Sequence, residues 1–294
     1  MTLPAIKSID VILCTYNSNK PYFEKCLKSI QQEIPLERLI VIDKESKDGT
    51  LNVIKRHFPD SLIIQSQASL AEARKIGIDN VKTEYFAFVD DDIELCSNWF
   101  STLMQNINLN IGAIHGIAYP IWMSKQSVPY KWLLWAQEWA QKRGWKNIVD
   151  VDKRNSKKIR GYTHNTIVLT DSIKDWKPPK NIQAYEDWLI QKHIVSKGYI
   201  WRILRNLRVN HFALIEKDIL RDHFKKIRWN SANARITGFN NWKDVLGEDI
   251  KTLFKSFKAS VDFRDPRIIL YVLRVASNYT RGYLKWDEYN VLKR

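Results

Sequence analysis

The residues best suited to chemistry are three consecutive aspartates, Asp90, Asp91 and Asp92, which follow the apolar run "YFAFV". Neighbouring carboxylates raise one another's proton affinity and cost stability unless a positive charge lies among them. Residues two apart in a strand point to the same side, so Asp90 and Asp92 are expected to project together. Two hard oxygen ligands suit Mg²⁺ or Mn²⁺, above all when phosphate supplies the remaining oxygens. The alternative is an acidic turn with solvated carboxylates, but the position directly after an apolar strand favours a metal site.

A second candidate is Asp43, which ends the apolar run in "LIVIDKESKDGT". The polar residues after it predict a turn and a helix start, with Ser46 or Asp48 as the N-cap. A strand–turn–helix junction explains those residues well. It explains less well a carboxylate as close to the sheet as Asp43, which could accept a hydrogen bond from a nucleotide base.

A further carboxylate pair, Glu186 and Asp187, lies in "YEDWL" at the predicted start of a helix. The helix dipole favours acidic residues in a first turn, which is a sufficient structural explanation. The functional alternative is a general base, because an ionised carboxylate within hydrogen-bond reach of a hydroxyl can take its proton. The residues alone leave both explanations open.

The elements that must position these side chains alternate between strand and helix over the first hundred residues. Such spacing predicts βαβ units and a parallel sheet, whose ligands bind outside the carboxyl ends of the strands. The polar residues at the strand ends should therefore meet in one crevice. Strands are predicted at "IDVILCTYN", "ERLIVIDKES", "DSLIIQSQ" and "EYFAFVDDD", and helices at "KPYFEKCLKSIQQEI", "DGTLNVIKRHF" and "SLAEARKIGIDNV".

The second half of the chain has a different character. Residues 119–145 contain five of the twelve tryptophans, and Trp132, Trp135 and Trp139 share one face of a predicted helix. Such a face favours core packing, stacking on a sugar or a membrane interface, and we expect a mixture of packing and acceptor contact. The basic stretch 150–162 predicts a loop. Further strands are predicted at "HNTIVLT" and "IWRILRNLRVNHF", and a helix at "AYEDWLIQKHIVSKGY".

The composition of the 294 residues favours an anionic partner. Hydrophobic residues make up 45%, which is enough for a full core, and the net charge is +15. Such an excess suits phosphate groups, nucleic acid or an acidic membrane surface. The three scattered cysteines indicate reduced thiols in the cytoplasm. No apolar run is long enough for a signal peptide or a membrane span, so we expect a protein that is soluble or lies on a membrane.

Four segments in the same order give the chain a resemblance to glycosyltransferase family 2 over roughly residues 8–212. That family implies the GT-A fold, inversion at the transferred sugar, and a nucleotide-diphosphate sugar as donor, with UDP favoured and GDP as the alternative. It also implies Mn²⁺ or Mg²⁺. Lys44 stands where many members carry a second aspartate. The segments are "ILCTYNSNKPYFEKCLKSIQQ", "LIVIDKESKDGT", "SLAEARKIGIDNVKTEYFAFVDDDIEL" and "YEDWLIQKHIVSKGYIWRILRNLRVNHF".

The resemblance implies a role for each matching residue on the donor side. Asp43 would contact uracil or another base, and Asp91 would face the donor sugar. Asp92 would ligate the metal, with Asp90 near the ribose or metal, and His211 in "VNHF" near the metal and diphosphate. The nucleoside pocket and its phosphate side would be lined by Thr15, Tyr16, Asn17, Ala73 and Arg74. On the acceptor side it implies Asp187 as general base, with Glu186 orienting the acceptor.

The predicted organisation is a GT-A domain over residues 1–215, with a nucleotide-binding half (1–100) and an acceptor-binding half (101–215). Residues 216–294 form a helical, basic region in which "IILYVLRVASNYTRGYLKW" is either a packed helix or one that lies on an anionic membrane. The expected acceptor is a glycan, a glycolipid or a polyprenyl-linked sugar at the cytoplasmic face of a membrane.

Three alternatives stay open at this point. A nucleotidyltransferase can share the sheet, although "CTYNSNKPY" lacks the Gly-rich basic loop expected of one. A nucleic-acid-binding protein fits the charge, although the acidic motifs lie where its ligand should bind. A carbohydrate-binding homologue without turnover is the third. No GxGxxG or Walker-type loop is present, which argues against nicotinamide enzymes and P-loop ATPases.

Overall fold

The computed structural model describes residues 7–121, 127–142, 146–212 and 219–289. The chain divides into two compact units. The sheet unit comprises Met1–Ile121 and Asn147–Ala213, and the helical unit comprises Trp122–Lys146 and Leu214–Arg294. The described part of the tryptophan-rich segment thus groups with the C-terminal helices, whereas the predicted domain limit near residue 215 stays a prediction.

In the described residues the sheet unit contains nine strands in one sheet. Its helices are α1 (Phe23–Glu33), α2 (Thr50–His57), α3 (Leu70–Asp79), α4 (Trp99–Gln105), α6 (Thr170–Ile173) and α7 (Glu186–Ser196). Helix α5 (Val128–Gln141) belongs to the helical unit. The strands are β1 (Ile9–Thr15), β2 (Leu36–Asp43), β3 (Leu62–Gln65), β4 (Tyr85–Val89), β5 (Ile93–Glu94), β6 (Ile111–Ile121), β7 (Ile148–Val151), β8 (Asn165–Leu169) and β9 (Ile200–Phe212).

The strand order is β3-β2-β1-β4-β8-β6-β9-β5, with β7 paired to β9. The first four strands are parallel neighbours, as the βαβ pattern predicts. Strand β8 is inserted antiparallel between β4 and β6. The predicted α/β class with a mostly parallel central sheet and flanking helices is confirmed.

Apolar residues from both faces of the sheet form the core of this unit. The interior strands are almost wholly buried, and α1 adds Phe23, Leu27 and Ile30 at helical spacing. Burial of these side chains is the main driving force that holds the strand ends in register. The crevice residues are thus mounted on rigid elements.

One local prediction holds over a shorter range and another is wrong. The stretch 150–162 is turn and loop from residue 152 onward, but its first two residues belong to β7, because Ile148–Val151 pairs with β9. Asp150 lies opposite Arg202 and forms two hydrogen bonds with its guanidinium, both 2.7 Å, so a cross-strand ion pair supports a polar edge strand. The N-cap of α2 is Gly49 at φ 86° rather than Ser46 or Asp48, because a left-handed turn precedes the helix.

The helical unit contains α5 (Val128–Gln141), α8 (Ile219–Thr237), α9 (Trp242–Phe263), α10 (Arg267–Leu284) and a 3₁₀ turn at Trp286–Tyr289. The predicted helical C-terminal region is confirmed. The rings of Trp132, Trp135 and Trp139 stack at centroid distances of 5.8 and 5.7 Å. Trp135 is buried against α9, so packing explains much of this stripe. Contact with an acceptor stays a prediction.

Candidate active site

A cavity of about 420 Å³ lies at the carboxyl ends of β1 and β2. Five of the residues predicted for the donor side line it, namely Thr15, Tyr16, Asn17, Ala73 and Asp91. The parallel pairing of β1 with β2 and β4 brings these sequence-distant residues to one edge of the sheet. Sequence reasoning did not identify as site residues the other side chains on the wall, which include Ser18, Lys20, Tyr22, Lys44, Ser66 and Gln183.

The strand ends of β1 and β2 are joined by a small hydrogen-bond network. The backbone N–H of Asn17 donates to Ser46 Oγ at 2.8 Å, and the Ser46 hydroxyl donates to Asp43 Oδ1 at 2.5 Å. Gln65 Nε2 donates to Asp43 Oδ2 at 3.1 Å. Asp43 is fully buried and does not line the cavity. In this arrangement it organises the loop that carries Asn17, and its predicted contact with a base stays a prediction.

Arg74 connects the aspartate triplet to the second carboxylate pair. Its Nη2 donates to Asp90 Oδ1 at 2.9 Å and its Nε donates to Glu186 Oε1 at 3.1 Å. Arg74 and Glu186 are both buried. Burial disfavours the guanidinium charge, but Asp90 and Glu186 outweigh it and raise the pKa of Arg74. The cation that the aspartates require is therefore supplied, at least in part, by the protein itself.

Asp187 has a cation of its own. Arg160 Nε and Nη2 donate to Asp187 Oδ1 and Oδ2 at 3.0 and 2.8 Å, a bidentate pair. The Arg160 guanidinium lies over the ring of Tyr185, 3.9 Å from its centroid. Burial raises the pKa of Asp187, against the opposing effect of Arg160, and burial also raises the pKa of Glu186 to about 7. Both carboxylates thus have a higher proton affinity than a solvated one.

The backbone around the site is unusual. Asn17, Glu45 and Tyr185 are non-glycine residues at φ 50°, 55° and 63°. Tyr185 is the N-cap of α7 and directly precedes Glu186 and Asp187. Positive φ is disfavoured for a bulky residue, and it is found where surrounding contacts force it, often at functional sites.

The other two aspartates of the triplet face different partners. Asp91 accepts a hydrogen bond from the Ser18 hydroxyl. Burial, followed by the charge of Asp92, raises the pKa of Asp91 to about 7. Asp92 Oδ2 lies 3.0 Å from His211 Nε2, because β5 pairs with β9 and sets Ile93 opposite His211. This pairing brings together one oxygen atom and one nitrogen atom that could bind a metal, and both side chains are about one-third exposed.

The predicted metal ligands Asp90, Asp92 and His211 are not assembled as one set. Among the described residues, no group of three or more histidine, cysteine, aspartate or glutamate side chains is arranged to hold a metal ion. The physical reason is that Arg74 engages Asp90, whereas Asp92 pairs with His211. Asp92 and His211 alone fit a divalent ion such as Mn²⁺, which accepts both carboxylate and imidazole.

Sequence reasoning missed His164, which lies beside the triplet. Its backbone carbonyl accepts a hydrogen bond from Asp90 N at 3.1 Å, since β8 runs antiparallel to β4. Its ring stacks on Tyr162 at 5.3 Å and lies 6.2 Å from the ring of His211. Burial lowers the pKa of His164 well below its ordinary value. No pattern in the sequence announces an antiparallel insertion, so no signal pointed to this residue.

Comparison with known proteins identifies the family of the chain. The family description "Glycosyl transferase family 2" matches residues 10–166, more than half of the chain. The chain belongs to glycosyltransferase family 2 and is a glycosyltransferase, so the resemblance found in the sequence is confirmed. The match runs from β1 to the start of β8 and includes the aspartate triplet.

Two relatives are similar to part of the chain. The chain is 33% identical over 115 residues to the GalNAc(5)-diNAcBac-PP-undecaprenol beta-1,3-glucosyltransferase of Campylobacter jejuni, which is 37% of each protein. It is 28% identical over 110 residues to the teichoic acid poly(glycerol phosphate) polymerase of Staphylococcus epidermidis, or 35% of this chain and 15% of that one. The matched stretch thus spans well under half of either relative.

Solved structures confirm the GT-A fold. A TarS fragment from S. aureus, in complex with UDP, has a TM-score of 0.54 at 16% identity and covers 96% of this chain and 91% of its own. The mannosyltransferase PcManGT from Pyrobaculum calidifontis, in complex with GDP-Man and Mn²⁺, has a TM-score of 0.60 at 12% identity. The match covers 93% of this chain and 87% of PcManGT. Identities this low establish the fold alone.

Proposed function

We propose that the protein is an inverting glycosyltransferase that moves a sugar from a nucleoside-diphosphate sugar to a hydroxyl of a glycan, glycolipid or polyprenyl-linked acceptor. The connection between the cavity and the carboxylate pair is the observation that carries this proposal. Asp91 lines the cavity, and Arg74 joins the adjacent Asp90 to Glu186. A donor pocket and a candidate base thus belong to one hydrogen-bonded assembly.

The cavity suits a nucleotide. Tyr16, which is 60% exposed, offers a ring for base stacking, and Lys20 and Lys44 supply positive charge on the wall. Support for the donor class comes from UDP in the TarS complex and GDP-Man in the PcManGT complex. We favour a UDP-sugar, with a GDP-sugar as the second candidate. The undecaprenol-linked substrate in the name of the C. jejuni relative supports a lipid-linked acceptor.

The diphosphate would lie near Arg74 and Asp92. Among the described residues, Arg74 Nη1 is a buried donor without a hydrogen-bond partner, and a buried unsatisfied N–H favours a ligand oxygen. Asp92 and His211 would hold a divalent cation, with remaining positions left to phosphate oxygens or water. When bound, that cation would neutralise charge on the departing diphosphate.

The acceptor hydroxyl would lose its proton to Asp187. The raised pKa of Asp187 improves it as a base, and the bidentate Arg160 holds both of its oxygens in place. One of those hydrogen bonds must yield to the acceptor before the proton can move. Glu186, fixed by Arg74, would orient the acceptor.

Donor binding is tested by thermal shift with UDP, GDP and their sugars, each with and without MnCl₂. We expect stabilisation that depends jointly on nucleotide and metal, and Asp92→Ala should lose the metal-dependent part. Equal stabilisation of wild type and Asp92→Ala by UDP with MnCl₂ would contradict the assignment of Asp92. Strong, salt-sensitive binding of random oligonucleotides without a response to Mn²⁺ would instead support a nucleic-acid-binding protein.

Transfer is tested by the release of nucleoside diphosphate from a nucleotide sugar in the presence of a polyprenyl-linked acceptor. Asp187→Asn should keep donor binding and lose about 10²–10⁴-fold in transfer rate, the usual contribution of a general base. Equal loss of donor binding and transfer in this variant would argue against Asp187 as the base. Release of pyrophosphate from a nucleoside triphosphate and a sugar phosphate, with no turnover of the nucleotide sugar, would identify a nucleotidyltransferase.

A further inference from the structure

Helix α9 exposes a continuous apolar stripe to solvent. Six side chains at intervals of three or four residues share one face, and each is 49–74% exposed. They are Trp242, Leu246, Ile250, Phe254, Phe257 and Val261. Single exposed apolar residues are ordinary, but a contiguous set of this size marks an interaction surface.

This stripe is not the face that packs α9 into its own unit. The packing face consists of small or branched residues, Val245, Ser256 and Ala259, which are buried. Trp135 of α5 also donates from Nε1 to Asp262 Oδ2 at 2.7 Å on α9. The helix therefore packs into the helical unit through one face, and the apolar stripe lies on another.

Helix α10 adds apolar and basic side chains that also face solvent. Leu270, Leu273 and Leu284 are exposed, as are Arg274 and Arg281. No acidic residue occurs in the sequence of α10. Leu273, Arg281 and Leu284 line a groove of about 560 Å³ that Asp249 of α9 closes on the other side.

Charge decides which partner fits. Helix α9 carries four acidic and four basic residues, so the positive excess of this surface comes from the arginines of α10. The acids are engaged within the unit: Asp244 forms a capping box with Asn241, Glu248 pairs with Lys251, Asp249 accepts from Thr280, Asp262 accepts from Trp135, and Asp265 pairs with Lys131. By contrast, Lys243 and Lys258 of α9 and the arginines of α10 are exposed. A second copy of this surface would bring the arginines of the two α10 helices together, and like charges repel. An anionic membrane would attract these arginines and would also take up the apolar side chains.

We infer that this α9–α10 surface, defined by the six apolar residues of α9 and by Leu270, Leu273, Arg274, Arg281 and Leu284, docks on an anionic phospholipid membrane. The aromatic and branched side chains would enter the boundary between headgroups and acyl chains, while the lysines and arginines contact lipid phosphates. No helix in the described residues is long and apolar enough to cross a membrane. The inference goes beyond the proposed function and does not depend on the identity of the sugar donor.

The test is sedimentation of the full chain with vesicles. We expect binding to vesicles of equal parts phosphatidylcholine and phosphatidylglycerol, weaker binding to phosphatidylcholine alone, and loss of affinity at high salt. The double variant Phe254→Gln/Val261→Gln should bind the mixed vesicles at least about 10-fold more weakly, because two apolar side chains no longer enter the lipid. Arg274→Gln and Arg281→Gln should each cost roughly fivefold, the effect of one charge near an anionic surface.

A matched control is Leu109→Gln, which replaces an equally exposed apolar residue of the sheet unit and should leave vesicle binding unchanged. Because all of these side chains face solvent, the variants should keep the wild-type melting temperature and the response to nucleotide. Equal binding of wild type and Phe254→Gln/Val261→Gln, or no binding to the mixed vesicles, would overturn the inference. So would a stable dimer in ultracentrifugation that the double variant dissociates, since a second copy would then cover this surface.

Discussion

In the sheet unit, Arg74, Glu186 and Asp187 carry ionisable groups at nearly buried positions, whereas the helical unit exposes Phe254 and Val261 to solvent. The first arrangement is tolerated because each charge has a partner within hydrogen-bond distance. The exposed side chains of Phe254 and Val261, by contrast, are not covered by other residues of the helical unit. Both departures from the usual distribution of charged and apolar residues lie where we propose an external partner, a charged ligand in the sheet unit and a membrane in the helical unit.

The largest effect is expected from removing the cation of the buried cluster. Arg74→Met should lower the free energy of unfolding by about 3–5 kcal/mol, because Glu186 and Asp90 lose their shared partner. Urea denaturation measures this change. The control Arg56→Met removes an exposed pair with Glu24 and should cost less than about 1 kcal/mol. Similar losses in the two variants would show that the buried cluster is not specially stabilised.

The next effect concerns packing in the helical unit. A Cβ on Gly282 would lie 2.2 Å from the carbonyl oxygen of Arg228, where α10 crosses α8. Gly282→Ala must therefore move one backbone against another, and we expect a loss of about 1–3 kcal/mol or more. Gly77→Ala in the sheet unit meets the side chain of Ile12 rather than backbone, at 2.5 Å from Cγ2, so it should cost less. Calorimetry distinguishes them, and a larger loss for Gly77→Ala would contradict this ranking.

The buried carboxylate should also affect stability as a function of pH. The pKa of Glu186 is raised by burial to about 7 from an ordinary 4.5, so the folded state binds its proton more tightly than the unfolded chain. Its contribution to stability is therefore full below pH 4.5 and is lost as the pH rises to about 7. Glu186→Gln should make the decline over this range shallower.

Urea midpoints measured at several pH values in metal-free buffer test this prediction. Burial also raises the pKa of Asp91 to about 7, so part of the decline in stability with pH should remain in Glu186→Gln. An identical slope for wild type and Glu186→Gln would show that Glu186 is ionised in the folded protein well below neutral pH.

The smallest expected change in stability is an increase rather than a loss. A Cβ on Gly247 in α9 meets no atom within 4 Å. Gly247→Ala should therefore stabilise the helical unit by up to about 1 kcal/mol through helix propensity. A melting temperature below that of wild type would contradict this prediction.

Much of the sheet unit was predictable because its first hundred residues are locally consistent. Apolar runs such as "YFAFV" and the periodic α1 and α3 agree with the parallel strands they join, and the aspartate triplet marks its strand end. Strand β7 was not predictable, because its support comes from Arg202, a residue more than fifty positions away. The capping prediction for α2 failed for a local reason, since the Ser46 hydroxyl donates to Asp43, three residues away, and Gly49 takes the N-cap position.

The sequence by itself determined the α/β class and the residues that gather at the edge of the sheet, because strand periodicity and strand-end chemistry are local properties. The order of four segments also gave the resemblance to the family. Only the tertiary structure decided that Arg74 joins Asp90 to Glu186, that Arg160 holds Asp187, and that His164 lies beside the triplet. It also decided which face of α9 is left in solvent. These are contacts between distant parts of the chain, and local patterns do not encode which partner a buried charge or an apolar face will meet.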